Sequence, residues 1–155
     1  MMDITYAPRD ILQIDNARIV HRNFSGAESK FNRKGDRNFS LVIEDEETAR
    51  KLADDGWNVK IRDARDDDDV PFMFLPVKIK FNERGPVAYL KAGNAEPVKL
   101  DEESIGILDD IDILGIDLDI RPYNWEVNGK TGRTAYLQSI FVTQEVDRFA
   151  ARFEN

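Results

Sequence analysis

The sequence predicts a mainly β domain with one or two short helices and an extended β-hairpin. Three observations lead there. Short runs of alternating apolar and polar residues recur along the chain, as at 57–62 and 113–121. Asn128-Gly129 lies between two strand-like runs, a strong hairpin signal. The 155 residues are 41% hydrophobic and no Gly/Ser-rich linker divides them, which fits one domain with its own core.

Taken in order, residues 18–24 read as a strand and 26–35 as a polar, basic loop. Residues 39–43 follow as a strand with Phe39, Leu41 and Ile43 on one face. Residues 45–55 read as a short helix. Asp45 can cap it, Glu46 and Glu47 suit its first turn, and Gly56 ends it. Trp57, Val59 and Ile61 alternate with Asn58, Lys60 and Arg62, the pattern of a half-buried strand. An acidic loop at 63–70 precedes a strand at 74–81, with Val77, Ile79 and Phe81 inward and Lys78 and Lys80 outward. Arg84-Gly85-Pro86 marks a turn before a strand at 87–91. Asp101, with Ser104 nearby, starts a second short helix that reaches 109. From 113 to 121, Leu114, Ile116, Leu118 and Ile120 form one face and Gly115, Asp117, Asp119 and Arg121 the other. Strands at 123–127 and 133–143 flank the turn at 128–132. Many short strands around one core suggest a closed or nearly closed barrel, and the pattern does not separate that from a sandwich.

Composition narrows the chemistry. There is no cysteine and a single histidine, His21, so thiol nucleophiles, disulfides and structural zinc drop out. Histidine acid–base chemistry has one candidate, without a visible partner motif. No apolar run is long enough to span a bilayer, and the first residues lack the pattern of a secretory signal. The net charge of −8 argues against a binder of duplex DNA. Its distribution matters more. Residues 18–37 hold six basic against two acidic side chains, net +4, and 121–136 hold net +2, leaving −14 elsewhere. Such a chain can carry one positive groove on a repelling body.

Two segments interleave cations with rings, the combination that single-stranded nucleic acid requires: cations follow phosphates and rings stack on bases. In the first, Arg22, Phe24, Lys30, Phe31, Arg33, Lys34 and Arg37 lead into Phe39. Phe24 and Phe39 also suit a core, whereas Phe31 sits in a polar loop and is expected to be exposed. In the second, Arg121, Tyr123 and Trp125 share the polar strand face with Asp117 and Asp119, provided that no bulge at Pro122 flips the phase. Lys130, Arg133 and Tyr136 extend this segment. Gly129-Lys130-Thr131 is not a phosphate loop, because Asn124 stands where the upstream glycine belongs. The acidic run at 66–69 is read as solvated, not as a metal site, and neither catalytic residues nor cofactors are expected.

These residues resemble a group of phage single-stranded DNA-binding proteins. The resemblance lies in Arg22-Asn23-Phe24-Ser25-Gly26, Phe31-Asn32, Gly35-Asp36-Arg37-Asn38-Phe39, Asp55-Gly56-Trp57-Asn58-Val59-Lys60 and, most specifically, the block from Arg121-Pro122-Tyr123-Asn124-Trp125 to Lys130. It covers roughly 15–145. It implies a five-stranded OB-fold-like barrel over 1–145 that binds single strands without strong sequence preference during phage replication and recombination, in the cytoplasm of the infected bacterium. Residues 146–155 are expected to form a tail or short helix, with Val146, Phe149 and Phe153 on one side. They depart from the acidic C-terminal tail of many such proteins, which leaves tail-mediated recruitment in doubt. Expected partners are single-stranded DNA, replication or recombination proteins and a second copy of the chain in a homodimer, but no membrane. Two rival readings are a protein-interaction module on the same barrel and a metal-dependent nuclease using the acidic loop.

Overall fold

In a computed structural model, residues 2–62, 72–83 and 85–146 are described. Their strands are β1 (Asp3–Tyr6), β2 (Leu12–Asp15), β3 (Ile19–Asn23), β4 (Arg37–Ile43), β5 (Lys60–Arg62), β6 (Phe72–Ile79), β7 (Val87–Ala92), β8 (Val98–Leu100), β9 (Ile113–Val127) and β10 (Lys130–Gln144), with one α-helix, α1 (Glu46–Asp54). The main path of the sheet is β1-β2-β9-β10-β6-β4-β3, with β5 on β6, and β7 between β10 and β8.

The strand count exceeds five because two long strands are interrupted. β2 pairs with β9 and β3 with β4, and only three residues separate β2 from β3. Asn16 turns there with φ 55°. The Ala17 amide donates to Ile116 O of β9, and Arg18 O accepts from the Val42 amide of β4, both at close range (2.8 and 2.9 Å). The hydrogen-bond ladder does not close, yet the chain itself passes from β2, second in the path, to β3 at its far end. Likewise, β6 and β7 run parallel to the same edge of β10, β6 at Ala135 and Tyr136 and β7 from Ser139 onward. Joining each pair leaves five principal strands, β2/β3, β4, β6/β7, β9 and β10, as in an OB-like barrel. Added to these are the short β1, β5 and β8.

Period-2 alternation builds the core. Leu12, Ile14, Phe39, Leu41, Ile43, Leu75, Val77, Ile116, Leu118, Ile120, Leu137 and Ile140 are all buried. Leu137 and Ile140 both face inward because the β9–β10 register shifts between Leu137 and Ser139. This bulge inserts Gln138 and restores the phase. Phe24 stacks on Phe39 with centroids 5.2 Å apart and planes at 17°. α1 starts at Asp45, whose carboxylate accepts from the Thr48 amide at 3.0 Å.

Several expectations are corrected. Leu114, expected on the inward face, is 69% exposed. It is the extra residue of a bulge, where the register with β10 passes from Gly115↔Thr143 to Ile113↔Gln144 and skips Leu114. Ile61 is exposed, because β5 has only three residues and pairs with β6 alone. Trp57, from the same alternating run, is buried. The second helix is a 3-10 turn at Ile105–Asp109, preceded by Asp101, which accepts from the amides of Glu103 and Ser104. The hairpin loop is two residues, Asn128 and Gly129, both with positive φ (51° and 80°), the twist-matched turn of a tight hairpin. The acidic run at 66–69, the Arg84 turn residue and the tail beyond 146 lie outside the described residues.

Candidate nucleic-acid interface

The β9–β10 ribbon supplies the aromatic platform. Its register is unbroken from Arg121↔Tyr136 to Val127↔Lys130, so no bulge at Pro122 flips the phase. Pro122 lies just past Ile120, the last β9 residue paired with β2, where β9 has a free edge and tolerates a missing amide donor. Residues directly opposite in a ladder share a face. One face of the ribbon therefore carries Tyr123 with Thr134, Trp125 with Gly132, and Val127 with Lys130. Tyr123 and Trp125 are 57% and 38% exposed. Tyr123 meets Tyr136 edge to face at 6.2 Å, and the Arg121 guanidinium lies 5.1 Å from the Tyr136 ring centre. Trp125 lies against Gly132, so closely that a Cβ there would fall 2.7 Å from its Cε2.

The platform continues across the barrel. Tyr136 is paired with Lys78 of β6, and Lys78 with Asn38 of β4. Arg121, Tyr136, Lys78 and Asn38 thus form one transverse row over four strands. A groove of about 420 Å³ lies over the Tyr136, Lys78 and Asn38 part of this row, lined also by Ser40, Pro76 and Lys80 and bounded by the base of the basic loop.

That basic loop is folded. Gly26 and Gly35 both have positive φ, and the Gly35 amide donates to Gly26 O at 2.8 Å, closing the neck. Ser29 and Asn32 exchange backbone hydrogen bonds at 2.9 and 3.2 Å, which places Lys30 and Phe31 at a tight tip. Asn32 organises the rest. Its Nδ2 donates to the carbonyls of Ala27, Arg33 and Asp36, while its Oδ1 accepts from Asn38 Nδ2 at 2.8 Å. Phe31 is 91% exposed, with the Lys30 ammonium 5.7 Å from its ring centre. Lys30, Arg33 and Lys34 are exposed around it.

The residues read from the sequence therefore separate. Lys30, Phe31, Arg33, Lys34, Arg121, Tyr123, Trp125, Lys130 and Tyr136 reach the surface. Phe24 does not: it is fully buried against Phe39 and cannot stack on a base. Arg22 is half-buried and donates to the carbonyls of Leu108 and Ile111, both at 2.8 Å. Arg37 donates to Phe24 O at 2.7 Å and lies over Phe81, anchoring the loop. Arg133 is opposite Asn124, so it points away from Trp125 and faces Asp10 and Asp55, each at 3.4 Å. Its amide donates to Gly56 O at 2.8 Å. Asp117 and Asp119 are likewise occupied, by the Asn16 amide and the Ser139 hydroxyl. Lys78, Lys80 and Asn38 were not among the site residues read from the sequence. The outward alternation of the two lysines was visible, but the strands that flank β6 were not.

No curated protein sequence matches the chain. Its fold is similar to that of the single-stranded DNA-binding protein from bacteriophage Enc34. For that protein in complex with ssDNA the match has a TM-score of 0.58 at 11% identity and covers 94% of this chain and 93% of that one. For its C-terminal truncation the TM-score is 0.57 at 11% identity, over 93% and 91%. At this identity the likeness concerns the fold. The family model for the phage ssDNA-binding domain matches residues 1–155, the whole chain, and the protein belongs to that family.

Proposed function

We propose that this protein binds single-stranded DNA along the face that runs from the basic loop, over β4, β6 and β10, to the β9–β10 ribbon. The row of Arg121, Tyr136, Lys78 and Asn38, with Tyr123 packed on Tyr136, carries the reading. It alternates cations with a ring on one surface, next to two further exposed rings. In a barrel of this kind, this face and the two flanking loops are where oligonucleotides lie. Lys30, Arg33, Lys34, Lys78, Lys80, Arg121 and Lys130 neutralise phosphates. Phe31, Tyr123, Trp125 and Tyr136 stack on bases. Stacking accepts any base, so sequence preference is weak.

The protein acts by coating single strands during phage replication or recombination in the host cytoplasm. Its chemistry needs neither a cofactor nor a reacting group. Among the described residues, no helix is long and apolar enough to cross a membrane.

Anisotropy of labelled oligo-dT and of a matched duplex, each at two salt concentrations, tests this. The expected result is binding of the single strand that weakens steeply with salt, with a slope of about −0.7 per phosphate contacted. Equal affinity for the duplex, or no binding at low salt, overturns the proposal.

A further inference from the structure

Strand β6 continues past the groove. Its outward residues are Phe72, Phe74, Pro76 and Lys78, followed by Lys80, because Leu75, Val77 and Ile79 are buried on the other side. Phe72 and Phe74 are only half-buried, with ring centres 5.4 Å apart. The exposed His21 ring stands edge-on to both, at 6.1 and 5.7 Å, and its Nδ1 lies 3.2 Å from Ser40 Oγ. Strand β5 pairs beside them, with Lys60 opposite Phe74 and Arg62 opposite Phe72. Opposite residues share a face, so both exposed cations flank the rings. On the other side β4 contributes Asn38, Ser40 and Val42, all neutral, and Glu44 follows only after the last paired residue. In a chain of net charge −8, this is a strip of rings and cations whose paired β4, β5 and β6 residues include no carboxylate.

We infer that Phe72, Phe74 and His21, with Lys60 and Arg62, form a second stacking subsite, and that the bound single strand follows β6 from Lys78 to Phe72. The inference rests on the proposed groove and extends it beyond Pro76 by about 13 Å, four residues of strand. The occupant is the same polyanion because the strip is continuous with the groove and has the complementary charge. The rings stack on bases while Lys60 and Arg62 contact two phosphates.

The test compares oligo-dT of about 6 and about 16 nucleotides, both within the range of sites on one barrel. Wild type is expected to bind the longer strand at least roughly tenfold tighter, the equivalent of one added stacked base. In Phe72→Ala/Phe74→Ala this gain shrinks while affinity for the short strand holds. A second variant, Lys60→Gln/Arg62→Gln, changes only exposed side chains. Its salt slope for the long strand falls by about 1.4, the value for two lost phosphate contacts, and its slope for the short strand does not change. A length gain and a salt slope equal to wild type in this second variant overturn the inference while leaving the groove intact. Failure of wild type to bind either strand overturns the groove itself.

Discussion

Trp125 and Arg133 lie on opposite faces of one two-stranded ribbon, although they are nearly cross-strand neighbours. Trp125 pairs with Gly132 and Arg133 with Asn124, so the tryptophan faces outward while the arginine faces Asp10, Asp55 and Trp57. The two side chains therefore have separable effects. Trp125→Ala is expected to weaken oligo-dT binding by about 1–3 kcal/mol, the loss of one stacked base, with little change in melting temperature. Arg133→Ala is expected to lower stability by about 1 kcal/mol, since surface ion pairs contribute little, and to leave DNA affinity nearly unchanged. Paired calorimetry and binding titrations distinguish them. The reverse pattern contradicts the placement.

Gly132 is the seat of the Trp125 ring. A methyl group there collides with the indole. Gly132→Ala is thus expected to displace the ring and to lower oligo-dT affinity about as much as Trp125→Ala does, while the exposed ribbon keeps its pairing. Binding isotherms, with hairpin pairing followed by NMR, check this. Wild-type affinity in Gly132→Ala means that the ring does not act from its seat.

Asn32 binds the basic loop together through three donated hydrogen bonds and one accepted. Net contributions of about 0.5–1.5 kcal/mol each make Asn32→Ala a local loosening, not a global unfolding. Hydrogen exchange at the Gly35 amide is expected to quicken, and DNA affinity to fall because Phe31 must be ordered on binding. Unchanged exchange at that amide contradicts a hub role for Asn32.

Asp45 caps α1, and its carboxyl titrates below the usual range because the Thr48 side chain and amide hydrogen-bond to the charged form. A depressed folded-state value means that the stabilisation is present above the unfolded value, about 3.9, and is lost as pH falls through the lower folded value. Asp45→Ala is expected to cost about 1 kcal/mol at neutral pH. The gap to wild type should close progressively below about pH 4. Denaturation midpoints across that range check it. A gap constant with pH contradicts the charged cap.

The local features were legible in the sequence. Asn128-Gly129, the β9 alternation from Ile116 to Ile120, the Asp45 cap and the exposed Phe31 each depend on neighbours within a few residues. What escaped depends on distant ones. Phe24 is core because it meets Phe39 and because Asp109, far along the chain, accepts from its amide. The guanidinium of Arg22 is held by carbonyls 86 and 89 residues away. β2 and β3 form one bent strand only because β9 and β4 receive its two halves. Lys78 could be read as facing outward, but its place beside Tyr136 follows from a parallel pairing that no local pattern encodes.

In the proposed binding mode the outward rings of the ribbon stack on bases. The chain has two tryptophans, Trp57 and Trp125, and Trp57 is only 3% exposed. A change in tryptophan emission during an oligo-dT titration therefore reports on Trp125. Strong quenching by the single strand is expected, with none by a matched duplex and loss of the quench in Trp125→Phe, where Trp57 remains. Tight binding of oligo-dT with no quench in wild type, or with the same quench in Trp125→Phe, contradicts it.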